Sequence, residues 1–240
     1  MTDVEAKRQT DAPVAVDADG VWSPERRRLS AGLVLTVTLV AFESLAIATV
    51  MPVVADDLGG LGLYGWVFSG FFLGSLLGIV VAGEVADRRG TRPPFVVGLA
   101  LFTVGLVIGG AAPSMGVLVV GRVLQGLGAG VVPAVAYTSV GRAYPPELRP
   151  RVFAVFSTAW VVPGLLGPAA ASAIEGWTSW RVVFLALLPF VALAAGMALP
   201  ALSDTVPGAE GSADEPGEPG EPAGPRPPAD RWRSAVVLVA

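Results

Sequence analysis

Six stretches of this 240-residue chain are long and almost free of charge: residues 30–54, 65–86, 94–112, 115–141, 150–173 and 181–202. Each has about the 20 apolar residues a helix needs to cross the hydrocarbon core of a bilayer. Backbone groups in lipid must satisfy one another, so single apolar segments of this length span as helices. The chain is therefore expected to be an all-α membrane protein with a six-helix transmembrane bundle over residues 30–202. Composition agrees, with 53% hydrophobic and 15% charged residues, against about 25% charge in an average soluble domain. Cysteine and histidine are both missing. That excludes disulfides, thiolate or imidazole metal sites and Ser/His dyads. With no nucleophile and base brought together and no metal-ligand cluster, an enzyme is not expected, and neither a metal nor a nucleic-acid partner is implied.

The basic residues give the orientation. Fourteen of the 16 lie before the first span (Lys7, Arg8, Arg26, Arg27, Arg28), in the second and fourth connections (Arg88, Arg89, Arg92; Arg142, Arg149, Arg151) or after the sixth span (Arg226, Arg231, Arg233). The first and third connections have none, and the fifth has only Arg181. Positive charge near short loops stays in the cytoplasm, so the expected topology is multi-pass with a cytoplasmic N-terminus. Residues 1–29 then form a cytoplasmic tail, ending in ERRRLS. Residues 203–232 are rich in acids, Gly and Pro and read as a disordered cytoplasmic linker. Residues 233–240 open a new apolar run, read as the start of a seventh helix, which leads to the expectation that a second half is missing from this chain.

Four blocks inside this frame carry chemistry. GEVADRRGTRPP, residues 83–94, puts Gly83, Asp87, Arg88, Gly90 and Arg92 between the second and third spans. Gly90 permits a tight turn, Pro93 and Pro94 suit the first turn of a helix, and Asp87, at the unfavourable negative end of a helix dipole, calls for a cation. In the fourth span, Leu118, Arg122, Gln125, Gly126, Gly128 and Gly130 surround an intramembrane arginine; such a charge is costly and faces a partner or a cavity. Arg122, Gly126, Gly130 and Ala134 recur every four residues and share a face, and Gly70, Gly74, Gly78 and Ala82 make a similar row in the second span. Rows of small residues let helices approach closely. In the first span, FESLAIATVMP places Glu43 near mid-membrane, where an ionised carboxylate needs a partner; Arg122 is the candidate. In the fifth span, PGLLGPAAAS carries Gly164, Gly167 and Pro168 after Pro163, and two prolines in one helix should bend it. Trp177, Trp180 and Arg181 read as interfacial anchors, and Glu84 as a surface or local gate residue.

These blocks resemble the major facilitator superfamily. The 83–94 block is similar to its motif G-x-x-x-D-R-x-G-R-[KR], with Thr91 where a basic residue is usual. The Arg122 block is similar to L-x-x-x-R-x-x-Q-G-x-G-x-[AG], the fifth-span block to the antiporter motif G-x-x-x-G-P-x-x-G-G, and the Glu43 block to L-D-x-T-x-V-N-x-A-L-P of multidrug exporters, the last two in part. The resemblance implies the N-terminal half of a drug:proton antiporter in the cell membrane, working by alternating access. Glu43 and Arg122 would couple protons, and Gly83, Asp87, Arg88, Gly90 and Arg92 would form a cytoplasmic gate. A proton gradient, with no cofactor, would supply the energy, and lipid, protons and a small amphipathic substrate would be the partners. Proton-coupled uptake of a metabolite suits the same residues. A non-transporting scaffold or sensor would keep the packing glycines but not need Glu43 and Arg122.

Overall fold

The computed structural model describes residues 20–24 and 26–203. The expected linker and seventh-helix start lie outside the described residues, as does most of the N-terminal tail. Six helical spans long and apolar enough to cross a membrane follow one another. They are α1 (Arg27–Leu58), α2 (Tyr64–Arg89), α3 (Arg92–Gly110), α4 (Met115–Ala143), α5 (Arg149–Trp177) and a sixth span made of two helices, α6 (Trp180–Leu185) and α7 (Leu188–Ser203).

The break in the sixth span has a local cause. Pro189 has no N–H to donate to the carbonyl of Leu185 and its ring crowds the preceding turn, so the chain closes α6 with Ala186 N–H to Val182 and Leu187 N–H to Phe184 before α7 starts. The expected span over 181–202 is present as two successive helices rather than one. Elsewhere turn chemistry sets the ends. Gly59, Gly60 and Gly90 take positive φ, and α3 begins with Pro93 and Pro94 in its first turn.

Packing divides the spans into two groups. α4 lies against α2 and α3, while α1 lies against α5 and α7. Few contacts join α4 directly to α5, so α1–α4 contacts and those of α3 with α6 and α7 knit the groups together. The α2–α4 seam is built by two small-residue rows. A Cβ on Gly126 or Gly130 would collide with the backbone carbonyl of Phe71 or Ser75 on α2, and one on Gly74 or Gly78 with the backbone of Val123 or Leu127 on α4. Gly128 does the same on the other side of α4, against Gly98 and Phe102 of α3. Backbone contact on two sides makes α4 the axis of its group.

At the arginine-rich end the first helix starts earlier than expected, at Arg27, and the residues before it are docked. Ser30 Oγ donates to the Val21 carbonyl at 2.7 Å and lies 2.7 Å from the Tyr144 hydroxyl. Val21, Ser30 and Tyr144 are all buried, and burial pushes the Tyr144 phenol above its ordinary pKa.

A buried ion pair between the two helix groups

Glu43 on α1 and Arg122 on α4, 79 residues apart in sequence, form an ion pair inside the bundle. Both side chains are almost inaccessible, at 3% and 1% exposure, which excludes an arginine snorkelling to the interface. The pair spans the boundary between the helix groups. Arg122 reaches it across the α2 face of α4: Nε donates to the Val67 carbonyl at 3.2 Å, and the guanidinium lies 4.1 Å from the centre of the Phe71 ring. Nη1 donates both to Glu43 Oε1 and, at 3.1 Å, to Gln125 Oε1.

The close seam is what makes this reach possible. Gly126, one turn beyond Arg122, removes the side chain that would hold Phe71 and Val67 away from α4. Sequence reasoning singled out Gln125 only as part of a motif; the structure makes it a fully buried third member of the site. The site also keeps unused capacity. Glu43 Oε2 can accept and Gln125 Nε2 can donate, and neither has a partner among the described residues. Glu43 lines a small cavity with Ala46, Ile47, Val183 and Phe184, with room for about one water molecule. Buried charges persist when paired and hydrogen-bonded. A carboxylate with one oxygen paired and one open has a position where a proton could be held if its arginine were withdrawn.

The 83–94 block ends α2 and starts α3. Gly90 takes φ +82°, and Asp87 lies 3.7 Å from Arg142 of α4, an exposed contact. Arg88 pairs with Glu84 at 2.8 Å on the surface, which places Glu84 in a local helix pair. No neighbour lies within 4 Å of where a Cβ on Gly83 would stand, and Arg92 is exposed. None of these residues meets the Glu43–Arg122 pair. The α5 residues also stand apart: Gly164 faces open space, and Gly167 lies only at ordinary van der Waals distance from Phe42 and Leu45 of α1.

Sequence reasoning missed a cluster at the opposite end. Asp57, near the end of α1, accepts from Trp180 Nε1 at 3.0 Å and from Arg181 Nη1 at 2.8 Å. Arg181 Nη2 also donates to the Ala112 carbonyl at 3.3 Å, and its guanidinium stacks 4.3 Å from the Trp180 ring centre. Trp180, 3% exposed, is thus a buried fastener rather than an interfacial anchor, whereas Trp177 is 86% exposed. The lone arginine of the fifth connection was the available signal.

Comparisons with known proteins agree with this architecture. The chain is 30% identical over 68% of its length to multidrug resistance protein 3 of Bacillus subtilis, covering 32% of that protein. It is 33% identical over 71% of its length to a probable multidrug-efflux transporter of Mycobacterium tuberculosis, covering 38% of it. The chain therefore spans about a third of the length of these curated relatives. Its fold matches a D-xylose-proton symporter (TM-score 0.59, 17% identity, covering 75% of this chain and 48% of that one) and the human organic anion transporter MFSD10 (TM-score 0.60, 19% identity, 75% and 48%). Residues 33–239 match the family described as Major Facilitator Superfamily, and the chain, with its six apolar spans in that family's fold, belongs to it.

Proposed function

We propose that this chain provides the first six spans of a proton-coupled exporter of drugs or other small amphipathic compounds, resident in the cell membrane with its N-terminus in the cytoplasm. One observation carries the reading: an ionisable pair, Glu43–Arg122, is buried at the boundary between two helix groups and keeps one carboxylate oxygen without a hydrogen bond among the described residues. A scaffold needs the glycine seams but gains nothing from a charge pair in hydrocarbon, where such residues are costly. Coupling needs two states of different proton affinity, since a ligand shifts an equilibrium only through its differential affinity for them. Contact with Arg122 favours the ionised form of Glu43 relative to any state in which a rearrangement between the helix groups withdraws Arg122, so the second state would bind the proton more tightly than the first. Rocking of two halves about a mid-membrane site would link that exchange to substrate movement. The efflux direction is supported by the names of the relatives from Bacillus subtilis and Mycobacterium tuberculosis. The 83–94 block, with Asp87 and Arg142 in loose contact, is proposed as the cytoplasmic gate.

The test is transport by the full-length protein in vesicles under an imposed pH gradient. Glu43→Gln is expected to insert normally and lose gradient-driven transport, while Glu43→Asp keeps part of it. Wild-type rates in the Gln variant would remove Glu43 from the mechanism.

A further inference from the structure

At the arginine-rich end of the bundle, α2 and α3 diverge around a groove of about 260 Å3. Its walls are Val81 and Val85 of α2 and Pro93 and Val97 of α3, with Val131 of α4 also lining it and Arg89 the only charged residue in the lining. Val81 and Val97 are more than half exposed and sit on apolar spans, so the groove opens on an apolar outer face of the six-helix unit.

The charges around it do not cancel. Among residues 64–143, which hold α2, α3 and α4, the only acids are Glu84 and Asp87. Glu84 is taken by Arg88 at 2.8 Å, and Asp87 faces Arg142 at 3.7 Å. Arg89 and Arg92 are exposed and have no ion pair or side-chain hydrogen bond among the described residues. Arg92 is the first residue of α3 and directly precedes the groove-lining prolines, so the positive end of the α3 dipole adds to the same field. The result is an apolar slot with exposed walls, with Arg89 in its lining and Arg92 one residue before its Pro93 wall, neither of them paired among the described residues.

We propose that this groove is a binding site for a phospholipid with a negatively charged headgroup, its phosphate on Arg89 and Arg92 and the first part of an acyl chain between Val81, Val85 and Val97. A soluble anion would use the arginines and leave the valines bare. A zwitterionic lipid would use the valines but bring its own cation to the arginines. Only an anionic lipid uses both. Bound there, it bridges the end of α2 to the start of α3 and holds the 83–94 connection at the membrane surface.

The experiment is native mass spectrometry of the chain in mild detergent, titrated with phosphatidylglycerol or phosphatidylcholine. Phosphatidylglycerol adducts are expected to form at lower concentration, and Arg89→Gln or Arg92→Gln to weaken them about fivefold each, the effect of one basic residue near an anionic surface. Val97→Trp, which fills the slot without touching charge, should weaken both lipids. Arg88→Gln makes the same change in net charge at a paired residue and should leave binding as it was; circular dichroism checks that every variant stays helical. Equal loss in Arg88→Gln would reduce the site to diffuse attraction and overturn the proposal. So would equal affinity for phosphatidylcholine, or displacement of the lipid by inorganic phosphate.

Discussion

Two glycine-bearing motifs of this chain look alike on paper and differ in space. In α4, Gly126 and Gly130 lie against the carbonyls of Phe71 and Ser75, and Gly128 against Gly98 and Phe102, so no side chain fits at any of the three. In α5, Gly164 meets nothing and Gly167 meets only the edges of Phe42 and Leu45. Burial follows the same division: 61% of the most apolar stretch of α4 is buried, against 28% for α5. The α4 glycines are requirements of the six-helix unit itself. Those of α5 serve no close contact among the described residues. A small residue in a membrane helix is thus informative only once its neighbour is known.

The largest expected effect is on the α4 side of the comparison and is electrostatic. Arg122→Met leaves Glu43 buried without its cation, and breaking a buried pair costs about 3–5 kcal/mol. Adding Glu43→Leu removes the orphaned charge and should restore most of that stability, although the double variant still lacks the Arg122 bond to Val67 and the stacking on Phe71. Reversible unfolding in a detergent titration measures both. If Arg122→Met costs no more than a conservative change in α5, the buried pair contributes nothing that sets the α4 side apart.

Much of that site was legible before any coordinates, for identifiable reasons. Arg122, Gly126, Gly130 and Ala134 fall every four residues, and a helix puts such residues on one face; the matching row Gly70, Gly74, Gly78 and Ala82 announced the face that receives them. Glu43 and Arg122 stood out because charges in apolar spans are few and costly, and because the resemblance to the family's motifs fell on the same two residues. Three features were hidden. That Gly128 serves α3 while Gly126 and Gly130 serve α2 depends on where two neighbours sit around α4, which periodicity within one helix does not encode. The Asp57–Trp180–Arg181 cluster joins residues 123 and 124 positions apart, and its tryptophan and arginine fit the pattern of ordinary interfacial residues. The break before Leu188 follows from Pro189, but an unbroken hydropathy profile over 181–202 masked it.

The next effect isolates packing from charge. Gly126→Ala adds one methyl group where the Phe71 carbonyl stands, so α2 and α4 must move apart or tilt. Overpacking of this kind costs about 1–3 kcal/mol. The displacement should also be felt at the ion pair, because Val67 and Phe71 both hold Arg122. A drop in unfolding free energy in the same titration is expected. Gly130→Ala should behave alike, through Ser75, but with less influence on Arg122, two turns away. An unchanged stability in Gly126→Ala would mean that the seam is slack and the contrast with α5 unfounded.

The smallest effect is expected at Gly164, and it is the sharpest comparison because sign rather than size decides it. No atom lies within 4 Å of the position a Cβ would take there, and Gly164 sits inside α5, between Pro163 and Pro168, with ordinary helical φ. Alanine in a helix interior is favoured over glycine by up to about 1 kcal/mol, since it loses less backbone entropy on folding. Gly164→Ala should therefore leave the stability of this chain unchanged or raise it slightly, opposite in sign to Gly126→Ala. The same substitution in the full-length protein then reports on use rather than stability: a transport rate that falls while the unfolding free energy holds or rises assigns the open space beside Gly164 to a moving or docking surface. A loss of stability comparable to that of Gly126→Ala would place an intimate contact at Gly164 and erase the distinction between the two motifs.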